Sequence, residues 1–296
     1  MSLLFLSGCV TTGDSTPKVK STTSTAGAAG KGVNKEYVKL LLTHGSRAHA
    51  AGDHDEAQSA YGRILQADPK NAHAALGLGE SLLSTGDLPR SIKYFDAASK
   101  DETLRATALQ GQGIVLLKLG QYSGSEKVLR QALKLDPKLW RAWNALGRTL
   151  DKSGRFEEAE KSYQAALKEN PASAIVHNNS GVSYLLAGKY EKAEQAFRAA
   201  VLSDPELKRA RSNLRLAMAW QGKYTEAMTG VDRLELPTTL NNVGYIAMKR
   251  GDYRHAEAYF VQAKQSSPAF YDKADRNLKF LQQVRKLQNV AAQSRK

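Results

Sequence analysis

The residues of this 296-residue chain with the most versatile chemistry are six histidines and one cysteine: His44, His49, His54, His73, His177, His255 and Cys9. A metal needs donors that converge on one point, which on a helix means a spacing of i and i+4. His44, His49 and His54 are five apart and fall on different helix faces. They read as surface or packing histidines, and no metal is expected. A single cysteine excludes both an intramolecular disulfide and a cysteine-based zinc cluster. Neighbouring carboxylates such as Glu157 and Glu158 could act as acid and base, but they stand in an exposed helical half-unit. No H-E-x-x-H, G-x-S-x-G or G-x-x-x-x-G-K-[ST] pattern occurs. Without a nucleophile–base constellation, neither an enzyme nor a cofactor is expected. Recognition chemistry remains, in Arg141, Asn144, Arg148, Asn178, Asn179, Arg209, Asn213, Asn241, Asn242 and Tyr245. A side-chain amide carries a donor and an acceptor and can pair with the backbone of a bound segment, while arginines meet its acidic groups.

What these residues can do depends on the elements that place them, and those elements repeat. Glycine recurs every 34 residues at Gly52, Gly86, Gly120, Gly154, Gly188 and Gly222, and Gly251 follows after 29. A second row runs Gly45, Gly79, Gly113, Gly147 and Gly181. A third is small: Ala57, Ser91, Ser125, Ala159, Ala193, Ala227 and Ala256. Four residues on from each comes Tyr61, Phe95, Leu129, Tyr163, Phe197, Val231 and Phe260. Pro69, Pro137, Pro171, Pro205 and Pro268 close units, and the second unit has Thr103 instead. The first row suits a turn, where glycine takes φ > 0 and ends a helix. The second and third let two helices touch, with the large residue filling the space one turn along.

This pattern resembles the tetratricopeptide repeat (TPR), most fully at Trp143, Leu146, Gly147, Leu150, Ala159, Tyr163, Ala166 and Pro171. The resemblance implies an all-α, right-handed superhelical solenoid of about seven helix-turn-helix units over residues 36–270. The units are 38–71, 72–105, 106–139, 140–173, 174–207, 208–236 and 237–270. The sixth is five residues short, with the loss between Ala227 and Pro237, so a turn of its second helix or the inter-unit turn should be missing and the superhelix should break there. Residues 271–288 read as a capping helix with Ala274, Leu278, Leu281 and Val284 on its apolar stripe, and 289–296 as a frayed tail. In such arrays the second, fifth, ninth and twelfth residues of each first helix, with the sixth, line a concave groove. Those positions hold the asparagines, arginines and Tyr245 named above, and Asn277 in the cap. The carboxylate clamp of chaperone-tail adaptors needs Lys and Asn at the fifth and ninth positions of one unit. Here these read Leu42/Ser46, Gln110/Ile114, Asn144/Arg148, Asn178/Val182 and Ser212/Leu216, which disfavours that activity.

Lysine plus arginine is 43 against 29 acids, a net +14. The basic residues are interleaved with acids, and the most basic stretch, 271–296, has no aromatic platform, so the charge reads as a solvated surface and nucleic acid is not an expected partner. No run of about 18 apolar residues could cross a membrane as a helix.

Leu6-Ser7-Gly8-Cys9 resembles the lipobox of a bacterial lipoprotein, in which the Cys9 thiol is diacylated and becomes the first residue. No Lys or Arg precedes it and only Leu3 to Leu6 are continuously apolar, so residues 1–9 read as the tail of a signal peptide that starts upstream. Val10 in place of an aspartate directs such a protein to the outer membrane, facing the periplasm. Residues 10–35, rich in Ser, Thr, Gly and Ala, read as a flexible tether. Lipobox, tether and repeats together resemble the outer-membrane TPR lipoproteins that assist pili and secretins. The seventh unit adds Leu240-Asn241-Asn242-Val243-Gly244-Tyr245, Gly251-Asp252-Tyr253, Ala256, Phe260, Pro268, Phe270-Tyr271, Ala274 and Asn277-Leu278. It resembles the C-terminal region of the TadD family of the tight-adherence (Flp) pilus system. That resemblance implies a lipid-anchored scaffold that helps the pilus secretin localise or assemble. The alternative is another envelope TPR adaptor, pilotin-like or a scaffold for cell-wall enzymes. The oligomeric state stays open.

Overall fold

The computed structural model describes residues 34–266 and 271–293. Cys9 and nearly all of the tether lie outside them. Among the described residues there are 15 α-helices and no strands. They pair as α1 (Lys35–Ala50) with α2 (His54–Ala67), α3 (Ala72–Thr85) with α4 (Leu88–Ala98), and α5 (Arg105–Lys118) with α6 (Tyr122–Leu135). Next come α7 (Trp140–Lys152) with α8 (Phe156–Glu169), α9 (Ala174–Leu186) with α10 (Tyr190–Ser203), α11 (Lys208–Trp220) with α12 (Tyr224–Met228), and α13 (Leu236–Lys249) with α14 (Tyr253–Ser266). Helix α15 (Tyr271–Gln293) ends the array. The chain is an all-α TPR solenoid. Two boundaries differ from expectation. Helix α1 takes the last residue assigned to the tether, because the Asn34 side chain accepts from Glu36 N at 3.0 Å and caps it. Helix α15 continues to Gln293, past the end expected at 288.

Each pair except the sixth is locked by a ring or leucine lying on bare backbone. A Cβ built on Gly45 would stand 2.9 Å from Tyr61, on Gly147 2.8 Å from Tyr163, on Gly181 2.6 Å from Phe197, and on Gly113 2.5 Å from Leu129. In the second and third units the neighbouring Gly77 and Gly111 press the same rings from the next unit, at 2.3 Å from Tyr61 and 2.4 Å from Phe95. Where the small-residue row is serine, it bonds across the pair: Ser91 Oγ donates to Gly79 O at 2.7 Å and Ser125 Oγ to Gly113 O at 2.8 Å.

The turns repeat as closely. After Gly154, at φ +71°, the Arg155 N–H reaches back to Leu150 O at 3.0 Å, while Arg155 O accepts from Ala159 N to open α8. Seven turns share this bond, so one left-handed glycine ends the first helix and starts the second. Between units, the prolines leave their carbonyls free. Trp143 Nε1 donates to Pro137 O at 2.8 Å, His177 Nε2 to Pro171 O at 2.9 Å, and Arg211 to Pro205 O.

The sixth unit breaks the pattern more deeply than the loss of one turn. Helix α12 has 5 residues where α10 and α14 have 14, about two and a half turns fewer. The large-residue position falls on Val231 in the connecting loop, so nothing occupies the place of the ring. The matching glycine is absent too: the eighth residue of this unit is Arg215. Pro237 starts α13 within its first turn, where a missing N–H costs nothing.

Along the second helices runs a ladder of ion pairs between units. Arg155 Nη1 lies 2.8 Å from Glu126 Oε2, Lys189 Nζ 3.3 Å from Glu160 Oε2, and Lys223 Nζ 2.8 Å from Glu194 Oε2. At the cap, Arg285 Nη1 meets Glu257 Oε2 at 2.7 Å. The rung between the sixth and seventh units holds Met228 and Asp252 and cannot pair. Burial alone would push the Glu194 carboxyl up, but hydrogen bonds from Lys223, Arg198 and Gln221 outweigh it and hold it at about 2. The same opposition leaves Glu126 and Glu160 below the usual carboxylate range.

Two outcomes are expected. Gly147→Ala pushes a methyl into Tyr163 and costs about 1–3 kcal/mol, whereas Gly62→Ala meets nothing within 4 Å and gains up to about 1 kcal/mol; urea denaturation of both separates close contact from helix propensity. Glu194 is depressed when folded, so its contribution is complete above about pH 4.5 and disappears as pH falls toward 2. Lys223→Gln should lower the melting temperature at pH 7 and flatten its fall below pH 4.5; an unchanged acid profile would mean that the pair is not coupled to folding.

Candidate functional site

First helices touch first helices of the next unit all along the array, whereas successive second helices do not pack on one another to the same degree. The first helices therefore form the tighter, inner wall, and that wall is the candidate site. It divides by burial.

The asparagines form a chain of amides. Asn213 Nδ2 donates to Asn178 Oδ1 at 3.0 Å, Asn178 Nδ2 to Asn179 Oδ1 at 3.5 Å, and Asn179 Nδ2 to Asn144 Oδ1 at 2.9 Å. At the other end Asn277 Nδ2 donates to Asn241 Oδ1 at 2.8 Å. The fifth residue of one unit thus accepts from the sixth of the next. Asn178 is 5% exposed and Asn241 2%. This corrects their expected place among groove-facing residues: their amides are spent on the seam between units, because the first helices approach closely enough for direct pairing. Asn144, Asn179 and Asn213 are half-buried in the same chain, and Asn242 is half-buried without belonging to it.

The exposed part is cationic. Arg141, Arg148 and Arg209 are exposed, and Tyr245 is 43% exposed with Lys249 Nζ 5.7 Å from its ring centre. Arg141 Nη1 reaches across two units to Glu80 Oε1 at 3.4 Å, a contact the superhelical curve creates.

Sequence reasoning placed the twelfth residues in the groove but gave Asp151 and His49 no role between units. Asp151 accepts from Tyr163 Oη at 2.7 Å and from Ser183 Oγ at 2.6 Å, joining its own pair to the next. Burial pushes its carboxyl up against the pull of those two bonds. His49 Nδ1 pairs with Ser81 Oγ at 3.1 Å in the same relation, and burial lowers its pKa. The signal was available, since a polar residue stood at a position that is Leu83, Leu117 and Leu185 elsewhere. Among the described residues no group of three or more His, Cys, Asp or Glu could hold a metal ion. No described helix is long and apolar enough to cross a membrane.

The sequence matches the family described as Cilia and flagella-associated protein 70 C-terminal domain over residues 11–235, and the tetratricopeptide repeat over residues 238–267. No curated protein matches. Among solved structures, a tetratricopeptide repeat protein from Parabacteroides merdae is 17% identical with a TM-score of 0.53, over 83% of this chain and 99% of that one. MamA from Desulfovibrio magneticus is 22% identical with a TM-score of 0.47, over 58% and 97%. YrrB, described as a TPR protein with an unusual peptide-binding site, is 24% identical with a TM-score of 0.42, over 60% and 91%.

The burial pattern sorts the wall by stability. Asn178→Ala and Asn241→Ala each strand a partner amide and should cost about 1–3 kcal/mol, while Arg148→Ala and Arg209→Ala stay within about 0.5 kcal/mol. Thermal melting of the four single variants checks this; equal melting temperatures would mean that the amide chain contributes nothing.

Proposed function

We propose, for a chain that belongs to the tetratricopeptide-repeat family described as Cilia and flagella-associated protein 70 C-terminal domain, that it is a non-enzymatic protein-binding scaffold. It is held at the outer membrane by acylated Cys9 and assists assembly of a tight-adherence pilus through its secretin. The observation that carries the binding half is the inner wall itself. Its buried amides fix the spacing of the first helices, and its exposed face offers Arg141, Arg148, Arg209 and Tyr245. A surface already held in place by its own hydrogen bonds spends little ordering free energy when a partner segment settles on it. Arginine and tyrosine are the side chains that anchor such segments, through charge-assisted hydrogen bonds and large rigid contact area. The pilus half rests on Leu6-Ser7-Gly8-Cys9 and on the pattern of the seventh unit. A diacylated or triacylated cysteine gives stable anchoring where one chain gives only marginal binding.

A crosslinking capture from cell envelopes tests both halves. Wild type should retain the secretin, and Arg148→Ala with Arg209→Ala should lower its recovery roughly tenfold, since each charged contact contributes up to about 3 kcal/mol. Cys9→Ser should leave the membrane fraction. Recovery unchanged by the arginine pair removes the groove as the binding surface, and a membrane-bound Cys9→Ser protein removes the anchor.

A further inference from the structure

Where six units carry glycine at the eighth position, the sixth carries Arg215, in the same unit whose second helix stops after 5 residues. The two departures fit each other. The Arg215 side chain is only 12% exposed, and its Nη2 donates to Gly230 O at 2.9 Å in the loop that follows the shortened helix. Nη1 is also buried but has no hydrogen-bond partner. Glu235 Oε2 lies 3.6 Å from it, close enough to offset charge and too far to bond. A buried guanidinium N–H left unpaired is unusual and costly, so it calls for a reason.

Beside it opens a cavity of about 200 Å³ lined by Ser212, Leu216, Leu234, Thr238, Thr239 and Asn242. By register these include the fifth and ninth residues of the sixth unit and the second and sixth of the seventh, so the cavity faces the inner wall. Its wall therefore offers three hydroxyls and one amide beside the arginine, and two leucines. Leu234 is 93% exposed, an apolar side chain held in water at the cavity mouth.

We propose that this junction is a carboxylate-binding pocket, with Arg215 as its anchor and Glu235 as the internal group that an incoming carboxylate displaces. A planar guanidinium with a vacant N–H fits a carboxylate fork better than any neutral acceptor. Hydroxyls of Ser212, Thr238 and Thr239 and the Asn242 amide supply donors to the second oxygen. Leu234 and Leu216 cover the aliphatic part of the group that carries it. This position differs from the fifth-and-ninth clamp discussed above, because the pocket exists only where a second helix is cut short. The inference rests on the reading of the inner wall as a partner-binding groove, and it gives that groove one fixed point of register: an acidic side chain, or a chain end, of the bound segment.

The test uses the full chain with ¹⁵N-labelled arginine and follows the Arg215 Nε–H resonance. The probes are N-acetylglutamate α-amide for a side-chain carboxylate, N-acetylleucine for a chain end, and N-acetylglutamine amide as the uncharged isostere. A saturable shift is expected with a carboxylate probe, at a concentration about tenfold below that needed for the glutamine probe; the better of the two acids identifies the source. Glu235→Gln removes the competitor and should tighten binding several-fold, and Arg215→Gln should abolish it. Should Arg215→Gln fail to fold, Glu235→Gln decides alone. No shift, an equal response to the uncharged probe, or an affinity unaltered by Glu235→Gln overturns the pocket. None of these results touches the Arg148 and Arg209 capture experiment, so failure of the pocket is distinguished from failure of the groove.

Discussion

In the regular units a buried ring or leucine of one helix rests on the backbone of its partner, and this is possible because the residue beneath is glycine. The contact sets the separation within the pair. Gly77 in the second unit and Gly111 in the third press on the ring of the unit before, so the contact also sets the spacing between units there. The turn glycine, the small residue one turn before the ring and the interunit hydrogen bonds all presuppose that separation. Removing the bare backbone at one unit changes the unit as a whole, and the sixth unit shows the result: arginine stands in place of glycine, the ring is gone and the second helix is cut to 5 residues.

Much of this was legible because short-range periodicity survives in sequence. Gly52 and its equivalents gave the turns, Gly147 and Tyr163 gave the pair, and Ala274 with Leu281 gave the cap, since each depends on residues within one unit or on one helix face. The five-residue deficit also pointed to the right segment, although its depth did not follow from its length. A helix that loses its ring and its close contact loses the reason to continue, so α12 ends nine residues short of its neighbours' length.

What was not legible lies between units. Asn178 and Asn241 have the composition of ligand-reading residues, and nothing in a single chain of letters says whether the acceptor is a partner or the next helix. The answer depends on an interhelix distance of a few ångströms across about 35 residues of sequence. The acid–base ladder from Glu126 to Arg155 and from Glu194 to Lys223 has the same character, with a fixed 29-residue offset. Arg215 is the exception that could have been read, because the glycine row stopped at Gly181 and resumed only at Gly244. A gap in a regular row carries as much information as the row, once each position has a physical task.

The short α12 has a mechanical consequence. A stacked array behaves as springs in series, since each unit touches only its neighbours. Its compliance is then set by the softest joint and not by the average. At the sixth unit the outer layer loses about two and a half turns of helix, and the ion-pair ladder skips a rung. The inner layer continues through α11 and α13. A joint with an intact inner strap and an interrupted outer strap resists opening on one side more than the other. Bending is therefore directional: the units before the joint and the units after it can splay about the inner wall like the covers of a bound book, with the spine kept whole.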